Sequence, residues 1–420
     1  MRVLIIGAGA REHALVWRLS QSPMVTALMA APGNPGIARM VPTFAIAVED
    51  IAGLVDLARS QKIDFVIVGP EAPLTLGLVD ALAAQGIPAL GPSRLAAQLE
   101  GSKAFTKALC AEFNIPTAAY ATFDDAAAAK GYIRAQGAPI VIKADGLAAG
   151  KGVVVAENLG QALDAVDQLL TPELGGRIVI EECLIGEEVS FFALCDGRTA
   201  IPVGAAQDHK RAFDGDLGPN TGGMGAYSPA PCFDAKAQDQ VMAEIIQPTL
   251  AAMAKRGYLF SGILFAGLMM TRTGPKLIEY NVRLGDPETQ VLMMRLANDP
   301  LPAFWAAAKG DLAGHHLTMS DQSALVVVMA AKGYPGTPKT GTRIGLPDPG
   351  RGADSVIFHA GTGLDAGGNL IAKGGRVLSI CARGPRLADA CRIAYDLTGQ
   401  IDWPDGFYRR DIGHKALKPE

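Results

Sequence analysis

Residues 140–156 read Ile140-Val-Ile-Lys143-Ala-Asp-Gly-Leu-Ala-Ala-Gly150-Lys151-Gly152-Val-Val-Val-Ala156. Two aliphatic, largely β-branched runs flank a glycine-rich turn, so the stretch predicts two strands joined by a pliable tip. Lys143 ends the first strand, where a buried ammonium is costly unless an anion meets it. That arrangement suits a nucleotide's phosphate tail. The lysine supplies a point charge to the phosphate oxygens, and the N–H groups of the loop wrap the rest. The spacing does not fit GxxxxGK[ST], so the loop is no Walker A turn. A plain hairpin, the alternative, leaves Lys143 unexplained.

Working outward, residues 118–123 and 177–182 predict strands, and 124–136 and 159–170 predict helices. Together they form a compact α+β unit of about 118–190, sized like a lid. Upstream, the apolar runs at 3–6 and 65–68 alternate with helical stretches at 11–20 and 76–85. Such continuous runs indicate a parallel sheet covered on both faces. Ser93 predicts the N-cap of one long helix through Phe113. Residues 207–231 predict a long polar loop, and a loop of that length inside a compact protein is functional or disordered. A helix over 234–256, strands at 262–270 and 276–280, and a separate strand-rich unit from about 323 complete the chain. The expected domains are 1–102, 103–320 and 321–420.

The composition excludes several classes. Of the 420 residues 49% are apolar and 19% charged, which is globular, and the length predicts more than one core. A net charge of -4 leaves no electrostatic footprint for nucleic acid. No run approaches the roughly 18 apolar residues of a membrane span, and the N-terminal apolar run is too short for a signal peptide. The six cysteines include no CxxC pair, so reduced thiols in the cytoplasm are expected.

Three more segments carry chemistry. Gly7-Ala-Gly9-Ala-Arg11-Glu12 follows a strand and opens a helix. It lacks the third glycine of a dinucleotide fingerprint, and no acid ends the next strand, so an NAD site is excluded. A tight turn and a site for another phosphate both stay open. On the strand through Ile278-Glu279-Tyr-Asn281-Val-Arg283, alternation puts Glu279, Asn281 and Arg283 on one face. Carboxylate and amide oxygens are hard donors suited to Mg²⁺, and an arginine beside them suits phosphate charge. Glu181-Glu182-Cys183-Leu184, with Glu187-Glu188 beyond, ends a strand where backbone groups can read an adenine edge.

In order along the chain, segments 9–15, 31–34, 68–74, 99–105, 207–211, 218–229, 283–288 and 358–362, with the lysine–glycine loop, resemble the ATP-grasp superfamily. Within it they resemble the family of phosphoribosylamine–glycine ligases. The resemblance implies an α/β and α+β multidomain architecture: an ATP-grasp fold with an N-terminal Rossmann-like domain, a mobile lid and a strand-rich C-terminal domain. It implies ATP as nucleotide, with Lys103 and Lys143 on its phosphates and Gly150, Lys151 and Gly152 as the mobile loop. Glu182, Cys183, Leu184 and Glu188 would line the adenosine site, and Glu279 and Asn281 would hold Mg²⁺ or Mn²⁺. Asp208, Lys210, Asn220, Gly222 and Gly223 would surround glycine and the amine sugar, joined by Asp286 and Glu288. Gly9 and Glu71 would face 5-phosphoribosylamine, and Lys143, Asp208 and Arg283 would serve catalysis. Residues 264–268 carry no acidic side chain, so only two protein ligands to the metal are expected.

The activity so implied is ATP-dependent ligation of glycine to 5-phosphoribosylamine in purine synthesis. Another grasp-type carboxylate–amine ligase or carboxylase is the alternative. The expected partners are small molecules, with no nucleic acid and no membrane, in a monomer or weak dimer.

Overall fold

The structure, a computed structural model, describes residues 1–146, 152–347 and 354–417. Gly150 and Lys151 of the expected phosphate loop lie outside the described residues. At the N-terminus, strands Ala27–Pro32, Arg2–Gly7, Phe65–Val68 and Ala89–Leu90 lie side by side in that order, all parallel. Their two faces account for the unbroken apolar runs. Val3 and Ile5 pack with Ala14 and Leu15 of the helix Ala10–Leu19. Leu4 and Ile6 pack on the other side with Leu54, Leu57 and Leu78.

One expected helix is shortened and another is broken. Of the 76–85 stretch Leu78–Ala83 is helical; it starts after Gly77, whose φ of 89° parts it from a short helix Glu71–Thr75 not expected from the sequence. The long helix expected from Ser93 gives Gln98–Gly101 and Lys103–Phe113. Ser102 between them is extended and caps the second helix by accepting from Phe105 N. The Asp145 carboxylate accepts from the Ser102 hydroxyl and from Ala104 N, fixing the break. The local cap, satisfied from the lid, outweighs helix propensity here.

The lid is an antiparallel sheet ordered Tyr120–Phe123, Ile178–Glu182, Ile140–Ala144, Val153–Ala156. Helices Ala126–Gln136 and Leu159–Leu169 cover it through Ala129, Ile133, Ala162 and Val166.

The stretch 207–231 is not the structureless loop its composition suggests. Arg211–Phe213 pairs with Leu217–Asn220 as a short hairpin, and Gly225–Ser228 is a fully buried strand. That strand joins Ala200–Asp208 to Ser323–Ala331. A Cβ at Gly225 would meet Val326 O at 2.6 Å, so close backbone approach explains a glycine that reads as a loop residue. The strand-rich C-terminal unit therefore extends the same sheet. Among the described residues the sheet has nine strands, running Gly274–Asn281, Ser261–Thr271, Glu187–Asp196, Ala200–Asp208, Gly225–Ser228, Ser323–Ala331, Arg376–Gly384, Ser355–His359, with Gly406–Phe407 beside Ser323–Ala331.

The helix expected over 234–256 is present, with one widened turn. Gln247 N donates to Met242 O, five residues back, and Pro248 follows without an N–H to give to the turn before it.

Candidate active site

Strand Gly274–Asn281 pairs with Ser261–Thr271 so that Glu279 lies opposite Gly267 and Asn281 opposite Phe265. Tyr280 and Val282 point into the core. Glu279, Asn281 and Arg283 face the other way, onto a cavity of about 410 Å³. The same cavity is lined by Lys103, Lys143, Gly152, Glu182, Cys183, Leu184 and Glu188. Lys143 and Asn281 thus share one cavity.

A second cavity of about 450 Å³ is lined by Glu71, Asp208, Gly222, Asp286 and Glu288. Glu188, Lys210, Glu279, Asn281 and Arg283 line both. Asn220 borders the first and not the second. Gly9 borders a third, of about 380 Å³, with Asn34, Asp286, Tyr334 and Arg376. Gly223 plays a backbone part: its N–H donates to Thr221 Oγ1, and its carbonyl accepts from Arg376 at 3.3 Å.

The first turn is closed by its own chain. Gly9 N donates to Glu12 Oε2 at 2.6 Å, and Arg11 pairs with Glu12 Oε1. A Cβ at Gly7 would strike the Glu12 side chain at 2.5 Å and one at Gly69 at 2.0 Å. The glycines make room for this buried carboxylate, which caps the helix by accepting from Gly9 N.

Arg283 does not project freely either. Its guanidinium meets Glu71 at 3.1 Å, Glu100 at 3.0 Å and Asn281 Oδ1 at 3.2 Å. Glu100 also accepts from Val282 N at 2.8 Å. Burial raises the Glu100 carboxyl above its ordinary range, against the pull of Arg283. At Glu71 burial pushes the same way, but Arg283 and Arg11 prevail and draw it down.

Lys103 donates to Gly146 O at 2.9 Å, and burial lowers its ammonium despite the nearby Glu279. Lys143 lies 3.0 Å from Glu181, which also meets Lys107 at 3.0 Å. Lys210 donates to Glu188 at 2.8 Å. Asp208 is raised to about 7 by loss of hydration, with Glu288 and Glu188 reinforcing the rise and Lys210 opposing it. Glu288 is buried and accepts from Ser190 Oγ at 2.9 Å.

For a divalent ion the donors fit. Glu279 takes no hydrogen bond or ion pair among the described residues, and Asn281 adds an amide oxygen two residues along the same face. No cluster of three His, Cys, Asp or Glu suited to a metal occurs among the described residues, so phosphates and waters would have to complete the shell.

Sequence reasoning missed Lys107, the pairing role of Glu181, Glu100, Tyr334 and Arg376. Glu100 and Lys107 lie in or beside the run 99–105, without a pattern that assigns them a task. Arg376 comes from the C-terminal strands, yet it donates to Gly222 O and Asp286 O, and Gly222 N donates to the Tyr334 hydroxyl. No local pattern shows such a long-range contact.

Three family models match consecutive parts of the chain: the phosphoribosylglycinamide synthetase N domain over residues 1–100, the ATP-grasp (A) domain over 101–289 and the C domain over 324–415. The chain is 55% identical to a phosphoribosylamine–glycine ligase of Rhizobium meliloti over the full length of both. It is 56% identical to one of Brucella melitensis, covering all of this chain and 99% of that one. The crystal structure of phosphoribosylamine–glycine ligase from Thermotoga maritima superposes with a TM-score of 0.86 at 32% identity, over 98% of this chain and 100% of that one. A biotin carboxylase domain of Hydrogenobacter thermophilus, in complex with MgADP and bicarbonate, shares the fold at TM-score 0.74 but only 16% identity, over 97% of this chain and 91% of that one. With its whole length matched in this way, the chain belongs to the phosphoribosylglycinamide synthetase family, built on the ATP-grasp fold.

Proposed function

We propose that the protein uses ATP to ligate glycine to 5-phosphoribosylamine through glycyl phosphate, giving glycinamide ribonucleotide, ADP and phosphate in purine synthesis. The observation that carries this is the shared wall: Glu279, Asn281 and Arg283 border the lysine-lined cavity and the Asp208 cavity alike. Phosphoryl transfer from nucleotide to substrate has to cross such a wall.

In this reading glycine's carboxylate oxygen attacks the γ-phosphorus of ATP, and ADP leaves. The amine of phosphoribosylamine then attacks the carbonyl carbon of glycyl phosphate, an amide bond forms, and phosphate departs with the C–O electron pair. Lys103 and Lys143 hold the phosphate tail, and the hinge segment 182–184 holds adenine. A divalent ion at Glu279 and Asn281 offsets charge on the phosphates when bound. Arg283, kept rigid by Glu71 and Glu100, presents charge where glycine and the transferred phosphoryl group meet. Lys210 takes the glycine carboxylate, and the Asp208 carboxyl, raised to about 7 and so about half ionised at neutral pH, accepts in its carboxylate form a proton from the incoming amine. No covalent nucleophile on the protein is needed, and the rate comes from positioning.

No helix among the described residues is long and apolar enough to cross a membrane. The reading places the enzyme in the cytoplasm, with Mg²⁺ or Mn²⁺ as its ion. The test is ADP formation with glycine and freshly made phosphoribosylamine, each omitted in turn. Full activity needs both. ADP release that follows bicarbonate and ignores glycine favours a carboxylase instead.

A further inference from the structure

Behind the nucleotide cavity lies a buried charge cluster that does not border it as a whole. Lys143 Nζ is 3.0 Å from both Glu181 oxygens. Lys107 Nζ is 3.0 Å from Glu181 Oε2. The three side chains are 5%, 4% and 3% exposed, so each charge needs a partner. Lys107 belongs to the helix Lys103–Phe113 and donates to Thr117 Oγ1 at 2.7 Å. Thr117 Oγ1 in turn donates to Leu277 O at 2.6 Å, and Lys143 donates to Ile278 O at 3.2 Å. The cluster thus binds two lid strands and a helix to the strand that ends in Glu279 and Asn281.

The charge count is the telling feature. Lys143 with Glu181 alone is a neutral pair, and a neutral pair offers little to a polyanion. Lys107 restores one net positive charge, and only Lys143 of the two lysines borders the cavity. We infer that Glu181 and Lys107 are positioning residues for the ATP-dependent reaction: Glu181 fixes the Lys143 head against the metal-site strand, and Lys107 keeps that head effectively cationic toward the nucleotide phosphates. The inference rests on the ligase reading for its substrate and goes beyond it in assigning work to Glu181, on the cavity wall, and to Lys107, behind that wall.

Charge rescue tests it. MgATP affinity is measured by calorimetry, with KM values for ATP and glycine, on Lys107→Met, Lys107→Arg, Glu181→Gln and the double variant Lys107→Met/Glu181→Gln. Lys107→Met leaves a neutral cluster and weakens MgATP binding about ten- to a hundredfold, the range of one charge-assisted contact. Lys107→Arg keeps the affinity. The double variant again carries one net positive charge, keeps an amide oxygen at position 181 to accept from the Lys143 ammonium, and returns to within about threefold of wild type. KM for glycine stays unchanged throughout.

Wild-type affinity in Lys107→Met, or a double variant as weak as Lys107→Met, overturns the inference. A merely structural role makes the Met and Arg variants fail alike and moves the glycine KM with the ATP KM. Should Lys107→Met not fold, the double variant decides: folded with near wild-type affinity supports the assignment, folded and weak overturns it. Wild-type protein that binds MgATP but does not ligate glycine overturns the ligase reading alone, since the affinity pattern is read without turnover.

Discussion

Lys210 Nζ donates to Glu188 Oε2 at 2.8 Å, so a residue assigned to the amino-acid side and one assigned to the adenosine side form a single ion pair. Both border the two cavities. Burial lowers the Lys210 ammonium's basicity, yet Glu188 and Asp208 carry it well above its ordinary value. The pair is 40% and 46% exposed, so it adds at most about 1 kcal/mol to stability. Glu188→Gln is therefore expected to leave the melting temperature nearly unchanged while raising KM for ATP and for glycine together. Steady-state kinetics with each substrate varied checks this; a change confined to one substrate would show that the pair does not link the sites.

Lys143→Ala and Glu279→Ala are each expected to lower glycine-dependent ADP release at least about a hundredfold, the scale of one preorganised charge contact. Folding is expected to survive. Glu279 has no side-chain partner among the described residues, and Glu181 keeps Lys107 when Lys143 is removed. Turnover at the wild-type rate in either variant, with circular dichroism unchanged, removes that residue from the mechanism.

The Asp208 carboxyl titrates near 7 in the folded chain against 3.8 ordinarily, because the cleft strips it of water and two glutamates face it. A raised folded value means the fold prefers the protonated acid. Its contribution to stability is full below about pH 4 and is lost as pH rises through about 7. Urea unfolding at about pH 5 and about pH 8 is expected to show a larger fall for wild type than for Asp208→Asn. Equal falls would refute the assignment.

Arg409 is fully buried and ties the C-terminal segment to the hairpin that precedes Asn220. It meets Asp216 at 2.8 Å and Asp411 at 2.7 Å, and donates to Arg211 O at 3.1 Å. Arg410 N donates to Asp214 and Gly215 N to Asp411, so the clamp is double. Arg409→Met is expected to cost about 1–3 kcal/mol, discounted because both carboxylates reach water. Faster amide exchange at Gly215 and Arg410 and a raised glycine KM are the expected signs. Unaltered exchange would show that the clamp is not what holds the hairpin.

Much of this is legible in the sequence, and the reasons are local. Lys143 is conspicuous because a lysine at the end of Ile140-Val-Ile is costly without an anion. Glu279, Asn281 and Arg283 are conspicuous because a period of two is imposed by the strand itself. Illegible were features made by partners far along the chain. Ser102 breaks a helix because Asp145, more than forty residues away, completes its cap. Gly225–Ser228 hides as a strand because its four residues are specified by two neighbouring strands rather than by their own pattern. Only the fold brings Glu71 and Glu100 to Arg283. At the first glycine turn the two meanings look alike in sequence, and the contact of the buried Glu12 carboxylate with Gly9 N is visible only in the fold.

Gly225–Ser228 also sets how stiff the substrate-facing run can be. With ladders on both sides, its C-terminal end is clamped into the nine-stranded sheet, while the hairpin before it pairs only with itself and is tied on through Arg409, Asp411 and a few backbone bonds. A swing that admitted or released the small substrates would break fewest ladder bonds in that hairpin and would leave the strand beneath it in place.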